Sequence, residues 1–331
     1  MNASRSLPTF LVLGAPRSGT TWLHAVLSHH PQIAVPVNKE PDFFNRRILS
    51  EDFSVYLQLI RGPLDQPARA IRGDLSVNYS NLTPSVVREI ARLIPDARLI
   101  YTLRNPVDRV WSQLKFSYGS FQNRVIQKIP VFQFLRNCEK IRVTRRTDYL
   151  WVINTWKEAF SEQALHVDLY DRIEQDSRGY VRDVLRHIGA DSDWKSPEEL
   201  HQFCIHSTSD HDMPPILRWY LSRQWLESTR RLNDAFDGRM SHWVEAMAAD
   251  AGRGTLSWRV FRELNRRIIT VPERMAYRAY DLHRSQALVR RLREINARLG
   301  TFDVERSPHV AAARAFQRPT RSPAITTALT E

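Results

Sequence analysis

The amino-acid sequence predicts an α/β fold of three layers, a central parallel sheet flanked by helices, with a helical extension at its C-terminal end. Three observations lead there. Short apolar runs, partly β-branched, are each followed by loop residues and then by a stretch with helical spacing, the alternation that builds parallel sheets. The 331 residues are 42% hydrophobic and 25% charged, enough to bury one large core but not several independent ones. From about Arg253 onward arginine outnumbers the acids, lysine is absent and apolar positions recur at helical spacing. The chain therefore divides into a main domain over residues 1–250 and an Arg-rich helical extension over residues 251–331, whose end from Arg306 reads as poorly ordered.

Residues 9–13 (TFLVL) read as a buried strand that stops at Gly14. A helix follows over residues 19–29, with Trp22, Leu23, Val26 and Leu27 at helical spacing and Pro31 just past its end. Residues 70–75 form a shorter strand. The next strand, residues 97–103 (ARLIYTL), runs through Arg104 into Asn105 as N-cap, Pro106 as first helical residue and Asp108 in the first turn. Val107, Val110, Trp111 and Leu114 give that helix its apolar face. Residues 165–170 supply a further strand, residues 214–247 carry a helical pattern facing a core, and residues 273–299 form a long amphipathic helix.

Between the first strand and its helix stands GAPRSGTT, residues 14–21. A helix start offers free backbone N–H groups and the positive end of the helix dipole, a ready seat for phosphate. The spacing is P-loop-like, yet Thr20 occupies the place of the nucleoside triphosphatase lysine and the cation sits three positions earlier, at Arg17. Ser18, Thr20 and Thr21 add hydroxyls, and Gly19 permits the turn. That set suits a nucleotide held by amides, hydroxyls and one cation, without a metal between phosphates.

This loop resembles that of the sulfotransferases that use 3′-phosphoadenosine 5′-phosphosulfate (PAPS), whose 5′-phosphosulfate loop reads much like PRSGTTWL. The resemblance extends over residues 9–245. LRNPVDRVWSQ (residues 103–113) is similar to the family's 3′-phosphate motif, which implies that Arg104 and Ser112 bind the ribose 3′-phosphate; the plain alternative makes Arg104 a salt bridge to Asp108. Tyr170, in a segment similar to the family's strand and helix near adenine, either packs by the base or closes a strand end in the core. Trp22 likewise either stacks on adenine or packs inside.

By the same resemblance Arg17 stabilises the departing phosphate, standing where many relatives have lysine. KEPDFF (residues 39–44) resembles the segment in which glycan sulfotransferases carry the base, so Glu40 is expected to take the acceptor proton with Lys39 helping to neutralise the sulfate; the plain alternative is a solvated ion pair between the two. RGDLSVNYS (residues 72–80) resembles the region lining the acceptor cleft, with Asp74 either a reserve base and acceptor ligand or a turn carboxylate. The loop that closes over the 3′-phosphate in relatives has no counterpart in residues 206–211, and AGRGT (residues 251–255) matches it in composition alone.

The implied reaction is in-line transfer of a sulfuryl group from PAPS to an acceptor hydroxyl or amine, releasing the 3′,5′-bisphosphate (PAP) with no metal. The implied acceptor is a small molecule, glycan or lipid. A net charge of +12 attracts polyanions of every kind, so a nucleotide kinase and a basic nucleic-acid-binding protein stand as alternatives; the missing Walker lysine argues against the first, the lack of any nucleic-acid module against the second. The basic C-terminal region either packs on its own domain or meets an anionic partner or membrane surface. Cys138 and Cys204 are too few for a disulfide framework, the His201, Cys204 and His206 group lacks a second pair for zinc, and a cytoplasmic location is expected.

Overall fold

A computed structural model describes residues 7–61, 71–120, 122–202, 212–265, 267 and 271–299. Ala70, Cys204, His206, residues 206–211 and the end from Arg306 lie outside these. In chain order come β1 (Phe10–Gly14), α1 (Thr20–His29), β2 (Ile33–Ala34), α2 (Phe53–Ile60), β3 (Ile71–Leu75), α3 (Pro84–Leu93), β4 (Arg98–Leu103) and α4 (Pro106–Lys115). They are followed by α5 (Val131–Cys138), α6 (Ile141–Arg145), α7 (Tyr149–Lys157), β5 (Leu165–Leu169), α8 (Tyr170–Gln175), α9 (Ser177–Ile188) and α10 (Glu198–Gln202). The rest is helical: α11 (Pro215–Ala235), α12 (Ser241–Gly252), α13 (Leu256–Asn265) and α14 (Val271–Leu299).

The five strands pair in the order β2-β3-β1-β4-β5, every pairing parallel. β1 lies at the centre and is buried along its whole length, which is why it reads as an unbroken apolar run rather than an alternating one. Its side chains still alternate between the two faces. Phe10 and Val12 join Ile100 of β4 beneath α1 and α9, whereas Leu11 and Leu13 join Leu99, Tyr101 and Leu103 beneath α3, α7 and α14. A third cluster binds α4 and α5 to α11 through Val110, Trp111, Leu217, Tyr220 and Leu221.

The chain leaves β1 toward β2 and β3 on one side, and leaves β4 toward β5 on the other. The carboxyl ends of β1 and β4 therefore flank a crevice where the winding reverses, the usual ligand position in open α/β sheets. The cap read from the sequence is present, with Asn105 Oδ1 accepting from Val107 N–H at 3.0 Å. Residues 214–247 divide into α11 and α12 because Asp237 (φ 52°) and Gly238 (φ 80°) turn the chain, and Asn233 captures the new end by accepting from Met240 N–H at 2.8 Å. Tyr170 opens α8 rather than closing β5.

Helix α14 runs back over the body. Leu288, Leu292 and Ile295 enter the core beneath α3, and Glu89, only 3% exposed, is held by Arg293 at 2.9 Å. Farther along, Asp281 pairs with Arg145 at 2.6 Å, Ser285 Oγ accepts from Thr83 Oγ1 at 3.1 Å, and Arg284 donates to the Asn45 carbonyl.

Candidate functional site

The loop after β1 is fastened to β4, since Ala15 N–H donates to the Thr102 carbonyl at 2.8 Å. Arg17 (φ 68°) and Gly19 (φ 78°) then reverse the chain into α1. A side chain at residue 19 would place its Cβ 2.9 Å from Ile173 Cδ1 and 3.3 Å from the Tyr170 ring, so glycine is required by contact as well as by φ. The first helical bond runs from Leu23 N–H to the Gly19 carbonyl at 2.9 Å, which leaves the N–H groups of Thr20, Thr21 and Trp22 without an acceptor among the described residues. Ser18 is fully buried, and its Oγ has no hydrogen-bond partner among the described residues. Leaving a buried hydroxyl unmade costs about 1–3 kcal/mol, a cost that a bound anion would remove.

Arg104 leaves the end of β4 and donates Nη1 to the Arg17 carbonyl at 3.0 Å, while its guanidinium lies over the Tyr170 ring at 4.4 Å from the centroid. Arg17 turns the other way. Its Nε donates to Ser112 Oγ at 3.1 Å and its guanidinium covers Phe116 at 4.8 Å. Neither arginine makes an ion pair among the described residues, so the salt bridge from Arg104 to Asp108 is not formed. Asp108 and Glu174 feel Arg104 only from beyond ion-pair distance, and burial raises both carboxyls above their ordinary range. Burial, then the adjacent Arg104, lowers the Arg17 guanidinium, with Tyr170 and Glu40 opposing. Arg109, fully buried on α4, donates to Thr147 Oγ1 at 2.5 Å and leaves Nε and Nη1 without partners among the described residues. Two guanidiniums with no ion pair among the described residues thus stand at the crevice, with a third charge buried behind them.

Lys39 and Glu40 stand on the segment between β2 and α2. Lys39 Nζ donates to Glu40 Oε1 at 2.5 Å, and Glu40 takes φ 64° immediately before Pro41. The ion pair is therefore made, at 34% exposure of the Glu40 side chain. Glu40 acts electrostatically on both Arg17 and Arg146, so it stands near the crevice. Arg146 donates to Asn78 Oδ1, and Asn78 Nδ2 in turn holds both Asp42 oxygens at 3.1 and 2.9 Å. Burial lowers Arg146 to about 10.

For two residues with alternative readings the structure shows the side chain packed inside. Asp74 has no exposed surface, and its oxygens accept from Ser76 Oγ at 2.6 Å, Tyr79 at 2.5 Å and Tyr56 at 2.9 Å. Its partners Tyr56 and Tyr79 pack against Phe43 and Phe44, so the carboxylate is sealed beneath them. Trp22 is 6% exposed, lies 5.9 Å from the Tyr180 ring and donates its indole N–H to the Leu200 carbonyl at 2.7 Å. Its ring belongs to the core, and only its backbone faces the loop. Arg17, Ser18, Gly19, Thr20, Thr21, Arg104, Ser112 and Tyr170 are brought together as one group.

A family described as the sulfotransferase domain matches residues 7–213. The chain belongs to the sulfotransferase family. A sulfotransferase from Alicyclobacillus acidocaldarius shares its fold, with a TM-score of 0.58 at 24% identity over 72% of this chain and 98% of that one. Among curated proteins it is 33% identical over 111 residues to the membrane-associated sulfotransferase kil1 of Dictyostelium discoideum, covering 34% of this chain and 23% of that protein. It is 31% identical over 111 residues to human bifunctional heparan sulfate N-deacetylase/N-sulfotransferase 2, covering 32% of this chain and 12% of that protein. With mouse carbohydrate sulfotransferase 15 it shares 25% identity over 182 residues, 40% of this chain and 32% of that protein. The chain thus spans less than a third of the length of these curated relatives.

Sequence reasoning about this sulfotransferase missed Arg109, Arg146, Asn78 and Asp42. Arg109 sits inside the run that already drew attention to Arg104 and Ser112, but an arginine on a helix is ordinarily solvated, and only tertiary packing shows this one buried. The paired arginines 145 and 146 gave a similar faint signal.

Proposed function

We propose that this sulfotransferase takes its sulfuryl group from PAPS and passes it to an acceptor hydroxyl or amine. The observation that carries the reading is the pair of guanidiniums, Arg17 and Arg104, flanking the first turn of α1 with no carboxylate paired to either among the described residues. The N–H groups of Thr20, Thr21 and Trp22, with the Ser18 and Thr20 hydroxyls, suit the 5′-phosphate end; Arg104 and Ser112 suit a second phosphate on the ribose. Tyr170 supports the Arg104 guanidinium through its ring face. PAPS supplies an activated sulfuryl group. A bond forms from the acceptor oxygen or nitrogen to sulfur while the bond from sulfur to the bridging oxygen breaks, its electron pair moving to the 5′-phosphate. Arg17 offsets the charge gathering there, and Glu40 receives the acceptor proton on the oxygen that Lys39 leaves open. Lys39 also balances charge on the sulfuryl oxygens.

Relatives named for heparan sulfate and carbohydrate sulfotransferase activity support a glycan-type acceptor, though a small-molecule or lipid alcohol meets the same chemistry. Residues 1–250 as the catalytic domain, with 251–331 as an extension, and a cytoplasmic site of action belong to the same proposal. Isothermal titration of the full chain with PAP, ATP and 5′-AMP, without Mg²⁺, tests the donor assignment. PAP is expected to bind at least about tenfold more tightly than either, and Arg104→Ala to weaken it by roughly 10- to 100-fold, the worth of a charge-assisted contact to phosphate. A preference for ATP would sink the reading in favour of a kinase.

A further inference from the structure

More than half of the large apolar residues exposed among the described residues fall on α13 and the first half of α14. They are not scattered. Leu256, Val260 and Leu264 follow one another at every fourth position of α13, so each is turned by only about 40° from the last. Val271, Met275 and Leu282, spaced four and then seven apart, make a second stripe on one side of α14, with Leu256 at 76% exposure and Met275 at 69% the most open. This stripe is not the face that packs on the body, which is marked by Asp281, Ser285, Leu288 and Leu292.

Charge accompanies the stripes. Residues 253–299 hold twelve arginines against four acids, so this stretch carries +8 of the chain's +12. Arg259 beside the first stripe and Arg278 within the second are exposed and make no ion pair among the described residues. Among those residues, no helix is long and apolar enough to cross a membrane.

We propose that α13 and the first half of α14 form a seat for an anionic lipid bilayer, on which the protein docks peripherally. Rows of aliphatic side chains enter the boundary between headgroups and acyl chains, while arginine stems lie along them and carry the guanidiniums to the phosphates. The two stripes are aliphatic, with Tyr280 as the one exposed aromatic among the described residues of these helices, a composition that suits a deformable lipid surface better than the clustered aromatic anchors of a protein hot spot.

The test is vesicle flotation of the full chain with phosphatidylcholine alone and with added phosphatidylglycerol, at low and high salt. Partition is expected on the anionic vesicles only, weakening as salt screens it. Leu256→Ser with Val260→Ser and Leu264→Ser, Val271→Ser with Met275→Ser, and Arg259→Glu with Arg278→Glu should each reduce partition by about tenfold or more. Val125→Ser with Phe132→Ser, exposed elsewhere, should leave it within about twofold. Thermal unfolding of every variant should match the parent, because all the altered side chains are exposed. Absence of partition by the parent, or partition unchanged in the stripe variants, overturns the proposal. So does a dimer in sedimentation that the stripe variants dissolve, or stripe-dependent binding of polyglutamate in place of vesicles, since the surface would then serve a protein.

Discussion

Glu40 and Asp74 show how two carboxylates a short distance apart in sequence come to opposite uses. Glu40 is partly open, held at one oxygen by Lys39 and close to Arg17, so Glu40→Gln removes a proton acceptor while keeping the shape of the site. PAP affinity in that variant should stay within about twofold of the parent while turnover falls by about 10²–10⁴-fold, the range for a general base; unchanged turnover in an assay with labelled PAPS would show that another group takes the proton. Asp74 is sealed, and its carboxyl is pushed up to about 6 because burial outweighs the bonds from Ser76, Tyr79 and Tyr56. The unfolded chain loses that proton near the ordinary value of about 3.9, so between these values the native state holds more protons. The stabilisation from this group is therefore complete below about pH 4 and is lost as pH rises through about 6. Denaturant unfolding of the parent and of Asp74→Asn should show the parent losing on the order of 1–3 kcal/mol relative to the variant from pH 4 to pH 7. A difference independent of pH would mean that the carboxyl titrates normally.

The elements that hold the site were legible where their signals are local. The first strand, the glycine turn and the helix after it need only neighbours in sequence, and so does the β4 to α4 corner, where Asn105, Pro106 and Asp108 carry the whole cap. Asn105→Ala should lower stability by about 1 kcal/mol in urea unfolding, the worth of an N-cap, and should weaken PAP binding because Arg104 and Ser112 bracket that corner. A loss of stability with unchanged PAP affinity would separate the cap from the site. Signals that depend on distant packing were not legible. The turn at Asp237 and Gly238 interrupts an apolar spacing that continues on both sides, so the Asp-Gly pair is its one local signal and the positive φ angles confirm it. Trp22 sits next to the loop residues in sequence, yet helix periodicity turns its ring into the core toward Tyr180. Arg109 and Arg146 bear charge, and a sequence gives no measure of how deeply a charged side chain is packed.

At the scale of the molecule, the sheet supplies one crevice and the helices after each strand decide which groups stand in it. The loop after β1 and the corner after β4 belong to the span the sulfotransferase domain covers, residues 7–213. Part of the core does not. Leu288, Leu292 and Ile295 come from α14, and Arg284 on the same helix holds the Asn45 carbonyl, five residues beyond Glu40. During synthesis the ribosome releases the loop after β1 well before this helix. A nascent chain can therefore assemble its sheet around β1 and β4 while α3 still has a bare apolar flank and the segment bearing Glu40 lacks its brace. The order of translation thus separates the two halves of the proposed chemistry in time, with the nucleotide end shaped early and the acceptor end set only once α14 has emerged.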